Sequence, residues 1–123
     1  VIRTDITPPG GRYPARLGHW LPKLLSSDDT VIGGVAYFRL RFYADGTLAS
    51  PSPGHLAHAW THVQQQRVAG LDRGALKALR TLWWWLRHHG PMEAEADAVA
   101  ERDKAHPVYL AEWDRLRSYV RRG

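Results

Sequence analysis

Apolar side chains recur along this chain with two different periods, and the change from one to the other divides it. In the first third, Tyr37, Arg39, Arg41 and Tyr43 alternate with Phe38, Leu40 and Phe42, the mark of a strand with one buried face. The β-branched and aromatic run that feeds this alternation begins at Val31, so one strand is predicted over 31–43. Asp45 and Gly46 then make a turn, and residues 47–49 read as a short return strand. Residues 1–4 read as another short strand, followed by a turn or loop forced by Pro8, Pro9, Gly10 and Gly11. Between them and the main strand, Leu17, Trp20, Leu21, Leu24 and Leu25 recur at helical spacing, with Pro22 interrupting. A short or broken helix over 14–25 is predicted.

Beyond residue 50 the helical period takes over. Ser50 or Ser52 is available as a cap, and Pro53 suits a first turn, so a helix is predicted over 53–68 with Gly70 closing it. A second is predicted over 72–88, ended by Gly90, and a third from Pro91 to about Lys104. Pro107 separates these from a last helix over 108–121, whose apolar face is Tyr109, Trp113, Leu116 and Val120. The fold class is therefore α+β, a small strand layer followed by a mainly helical half.

Length and composition narrow the class without changing it. The 123 residues suit a single domain spanning 1–123, and an apolar share of 44% with 24% charged residues is ordinary for a soluble globular chain. No apolar stretch approaches the ~20 residues of a bilayer span, and no signal peptide is visible, so no membrane partner is expected. Cysteine is absent, which leaves His and carboxylates as the metal ligands on offer. A net charge of +5, gathered partly at Arg115, Arg117, Arg121 and Arg122, suits an acidic partner or nucleic acid, although a solvated helix face explains it equally well. The run Trp83-Trp84-Trp85 is expected to pack mainly in the core with Leu79, Leu82 and Leu86. Three helical neighbours cannot share one face, so at least one ring should meet solvent, a cleft or a partner.

The candidate chemistry lies on the helix over 53–68. Leu56, Trp60 and Val63 form one stripe for the core, while His58 and His62 lie opposite, with His55 and Gln65 beside them. Histidines at i and i+4 project one turn apart, close enough for both imidazoles to reach one ion. Seven His in 123 residues give about 0.4 such pairs by chance, so the pair needs a third ligand from elsewhere. Glu93 and Asp97, also i and i+4, supply it: Glu93 as ligand, Asp97 accepting the second imidazole N–H of a ligand His. The plain alternative is a solvated acidic first turn at a helix start. His55 and Glu95 are alternative ligands, His88 and His89 are expected at a helix end, and His106 in a loop.

His58-Ala59-Trp60-Thr61-His62 followed by Glu93-x-x-x-Asp97 resembles the gluzincin metallopeptidases, with H-E-x-x-H on an active-site helix and E-x-x-x-D on a glutamate helix. The following Val63-Gln64-Gln65-Gln66 is similar to the H-E-x-x-H-V-x-Q-Q runs of small bacterial zincin-like domains. The likeness covers about residues 51–100. It implies zinc held by His58, His62 and Glu93, Asp97 as the outer partner, and a peptide or protein substrate.

One position departs from the pattern. Where the family places its general base, this chain has Ala59, whose methyl group accepts no proton. Zinc binding is expected to survive and peptide hydrolysis to fall by roughly 10² to 10⁴. Two accounts fit, a natural relative without the base or a deliberate Glu-to-Ala change. The start at Val1 rather than Met suggests edited ends and inclines the expectation to the second. Returning Glu to position 59 is expected to leave fold and zinc affinity nearly unchanged. The rival expectation is a non-enzymatic basic helical module that binds nucleic acid or an acidic protein, with the His pair incidental.

Overall fold

The computed structural model describes residues 2–120. Val1 of the first predicted strand, and Arg121 and Arg122 of the basic end, lie outside the described residues. Six strands and four helices follow in the order β1 (Ile2–Ile6), β2 (Tyr13–Leu17), α1 (Trp20–Leu24), β3 (Asp29–Ile32), β4 (Val35–Phe38), β5 (Arg41–Phe42), β6 (Leu48–Ser50), α2 (Pro53–Val68), α3 (Lys77–Asp103) and α4 (Pro107–Tyr119). The class is α+β, as the change of period implies.

Four strands form one sheet in the order β1-β2-β4-β3, with β2 and β4 parallel and the other pairs antiparallel. Strands β5 and β6 make a separate hairpin through Asp45-Gly46, where the Asp45 carboxylate accepts from the Thr47 amide at 2.9 Å. Ile6, Tyr13, Leu17 and Phe38 of the sheet meet Leu48, Leu56, Val63 and Leu116 in one buried cluster. The Leu56/Trp60/Val63 stripe of α2 is buried there, and the Tyr13 hydroxyl donates to the Leu56 carbonyl at 2.9 Å.

Three elements differ from the sequence reading. The single strand expected over 31–43 is a hairpin: Ile32 pairs with Val35, leaving Gly33-Gly34 as a two-residue turn, and β5 follows as a separate strand. Both glycines have positive φ (59° and 77°), the requirement of the tight turn that matches strand twist. The expected helix over 14–25 is strand β2 followed by the five-residue α1. Pro14 stands one residue ahead of the β2–β4 pairing, which begins at Ala15, so its missing N–H costs that ladder nothing. Pro22 does not interrupt α1: the helix starts at Trp20, capped by His19, and Pro22 falls in its first turn.

The third difference is the longest. Residues 72–76 are turn, and the two helices expected over 72–104 are one, α3, with Gly90 and Pro91 inside it. An internal proline frees the carbonyl four residues earlier, a cost of about 3 kcal/mol where that carbonyl is buried without a partner. Here residues 85–91 are exposed, so water can take the freed Arg87 carbonyl. Without the break, the first half of α3 does not fold back on the core. Leu79, Leu82, Trp83, Trp85 and Leu86, expected mainly in the core with at least one ring outside it, are all exposed. His88 and His89 accordingly lie within the helix and not at its end. His106, read as a loop residue, caps α4 by accepting from the Val108 amide at 3.1 Å.

The Gly33-Gly34 turn gives the first test. A Cβ on Gly34 would lie 2.8 Å from the Asp72 Cβ and hold a positive φ, whereas Gly46, also at positive φ, has open space around it. Gly34→Ala is expected to cost about 2 to 3 kcal/mol in urea denaturation and Gly46→Ala about 1 to 2. Equal losses would show that the approach to Asp72 is not tight.

Candidate metal centre

Helix α2 starts at a reciprocal cap. Ser52 Oγ accepts from the His55 amide at 3.3 Å, and His55 Nδ1 accepts from the Ser52 amide at 3.0 Å. This fixes the helix phase and engages His55 away from the other histidines; its Nε2 lies 3.5 Å from Asp28. One turn on, His58 and His62 stand with ring centroids 4.7 Å apart and planes almost perpendicular.

Their outer nitrogens converge. His62 Nε2 lies 2.7 Å from Glu93 Oε1, and His58 Nε2 lies 3.3 Å from Glu93 Oε2. One ligand atom from each of His58, His62 and Glu93 falls within 4.8 Å of the others, a group that could hold a metal ion. The inner nitrogens are held from behind. His58 Nδ1 meets Asp29 Oδ2 at 2.6 Å, and His62 Nδ1 meets Gln65 Oε1 at 2.9 Å. Gln65 in turn donates from Nε2 to the Met92 carbonyl, one residue before Glu93. Each ring is thus oriented by a fixed partner on one nitrogen and turns the other towards Glu93, a two-sided restraint that metal-binding histidines usually have.

Of the remaining candidates, Asp97 differs in role. Its Oδ1 lies 3.2 Å from His58 Nε2, the nitrogen that Glu93 also faces, so it stands on the ligand side of the ring. The orienting partner assigned to it from sequence is Asp29, at the start of β3. Glu95 is exposed. Ala59 is wholly buried in the core cluster and is not among the residues lining the cleft. Asp29 is not legible in the sequence as a partner of His58, because no local spacing ties it to a residue twenty-nine positions on. A strand start two residues earlier, at Asp29 and not Val31, was the one signal available.

The cleft beside His58 and Glu93 is open, about 440 Å³, and its wall includes Asp28, Asp29, Glu93 and Asp97. Four carboxylates around one opening favour a cation. The protons already respond to this field. Burial disfavours charge on His58, but hydrogen bonds to Asp29 and Glu93 outweigh it and raise its pKa from 6.5 to about 10. Hydrogen bonds from His58 and then His62 hold the Glu93 carboxyl well below the usual carboxylate range. A metal here must displace the His58 proton, so its uptake releases protons and strengthens as pH rises.

The donor set fits zinc: two neutral imidazole nitrogens and a carboxylate oxygen, with no thiolate in the chain. Comparison with protein-family models, with curated proteins and with solved structures found no match. The likeness to the zincins therefore rests on the His58/His62/Glu93 cluster and the motif that supplies it.

The raised His58 pKa fixes a direction in pH. Protonated His58 stabilises the metal-free fold fully below about 6.5 and loses that contribution as pH rises through about 10. In chelator, the wild type is expected to lose more melting temperature between pH 7 and 10 than His58→Gln does. Parallel curves would mean that the ion pair contributes nothing.

Proposed function

We propose that this chain is a zinc-binding domain of gluzincin-like design, whose reaction with a carboxylate at position 59 is peptide-bond hydrolysis. The supporting observation is the convergence of both His Nε2 atoms on the Glu93 carboxylate, with both Nδ1 atoms anchored behind. A surface ion pair has no need of such two-sided restraint.

In this reading His58, His62 and Glu93 hold the ion, and Asp29 and Gln65 keep the rings facing it. Bound zinc would supply Lewis acidity, polarising a substrate carbonyl and making water more acidic. The acidic wall draws in the ion and suits a substrate segment carrying positive charge. What position 59 lacks is the family's proton carrier. Ala59 offers none, and of the carboxylates nearest the ion Asp29 holds His58 from behind and Glu93 is itself a ligand. Loss of general acid–base catalysis costs roughly 10² to 10⁴ in rate, so the present chain binds and orients and scarcely turns over.

The burial of Ala59 alters one expectation drawn from sequence. A carboxylate placed there enters the core, and an unpaired buried charge destabilises by several kcal/mol unless an ion or hydrogen bond meets it. Ala59→Glu is therefore expected to lower the melting temperature in chelator and to recover it with zinc. The zinc-loaded variant should cleave an unstructured protein in a chelator-sensitive way, at least about 100 times faster than the present chain. A variant that folds, binds zinc and cuts nothing across a broad peptide panel would overturn the hydrolase reading and leave a metal-holding binding domain.

A further inference from the structure

The first half of α3 presents an apolar stripe to solvent. Leu79, Leu82, Trp83 and Leu86 follow the i, i+3, i+4, i+7 spacing of one helix face, which in a globular helix points inward. Here they are 63%, 56%, 61% and 55% exposed. The inward residue is Thr81, 2% exposed, whose Oγ1 accepts from the Gly33 amide at 3.1 Å. At 100° per residue Thr81 lies about 150° from the middle of the stripe, so the amphipathic helix sits with its oily side outward.

Charge decides what fits that side. Between Asp72 and Glu93 there is no acidic residue, and the segment carries Arg73, Lys77, Arg80 and Arg87. Arg80 and Arg87 border the stripe on the wheel, and the Arg87 guanidinium lies 5.1 Å from the Trp83 ring centre. A second copy of this helix would bring four positive charges against four. A groove on a partner protein would cover one face, yet Trp85 is also exposed, well round the helix from the stripe. Leu and Trp rings flanked by Arg, with no acid among them, suit the boundary between lipid headgroups and acyl chains.

We propose that the N-terminal half of α3 is an interfacial anchor that lies on anionic membrane surfaces, burying Leu79, Leu82, Trp83 and Leu86 while Arg80 and Arg87 reach the headgroups. Among the described residues no helix is long and apolar enough to cross a membrane, and lying on one makes no such demand. The anchor is independent of the metal reading, because none of its residues belongs to the triad.

The test is flotation of the full chain, in chelator and with zinc, on vesicles of phosphatidylcholine alone or with about one-third phosphatidylserine. Binding is expected only to the anionic vesicles, with a blue shift of tryptophan emission and weakening by salt. Arg80→Gln with Arg87→Gln should weaken it about 30-fold, at about fivefold per charge removed. Trp83→Ser with Leu86→Ser should abolish the blue shift, with an unchanged melting temperature because both side chains are exposed. No binding to the anionic vesicles would overturn the proposal. So would undiminished binding by both double variants, or tighter binding to polyglutamate or to RNA than to the vesicles.

Discussion

The β3–β4 hairpin holds α2 and α3 in place through three hydrogen bonds between backbone and side-chain atoms that water does not reach. The Gln66 amide, 2% exposed, donates to the Val31 carbonyl at 2.7 Å and accepts from the Gly34 amide at 2.8 Å, fixing α2. Thr81 accepts from the neighbouring Gly33 amide, fixing α3. His62 lies one turn from Gln66, and Glu93 lies on the helix that Thr81 pins. The same strand begins with Asp29, which orients His58. Withdrawing either polar side chain would leave a buried backbone N–H unpaired at about 1 to 3 kcal/mol and free one helix to shift. The triad's geometry is in this sense a property of the hairpin as much as of α2.

Two demands meet on α2, and they explain its unusual burial. One side carries Leu56, Trp60 and Val63 into the core; the other carries His62 and Gln66, which are also buried. Polar side chains in such a place must find fixed partners, and each does: Gln65 for His62, the hairpin backbone for Gln66, Asp29 for the half-buried His58. Repulsion among the cleft's carboxylates is relieved in part by the proton on His58. A divalent cation would relieve it further, which is why the protonated pair and a bound metal compete for one location.

The sequence showed the parts of this arrangement that depend on local spacing. His58 and His62 could be paired because a helix repeats, and the Leu56/Trp60/Val63 stripe because burial follows the same period. Glu93 stands out through its i, i+4 relation to Asp97, which the family pattern then matches, and the structure brings it against both rings. What escaped depends on contacts distant in the chain. Asp29 has no periodic relation to His58. Gly33-Gly34 inside a β-branched run was the signal of a hairpin, but the alternation beyond it reads as one strand. Gly90-Pro91 carries the usual signature of a helix end, and only the exposure of residues 85–91 lets the helix continue. That continuation turned the tryptophan run from expected core into surface. The expected basic end is also less free than its count of arginines suggests, since Arg115 pairs with Glu112 and Arg117 with Asp114.

The central claim is that His58, His62 and Glu93 act together on one ion, and the metal content of the purified chain after exhaustive dialysis against zinc-buffered solution measures it directly. About one zinc per chain is expected for the wild type, and little for His62→Ala or Glu93→Ala, each of which removes one of three ligands. Circular dichroism of both variants should match the wild type, so that lost zinc is not lost fold. Wild-type protein that retains no zinc, or variants that retain as much as the wild type, would contradict the claim.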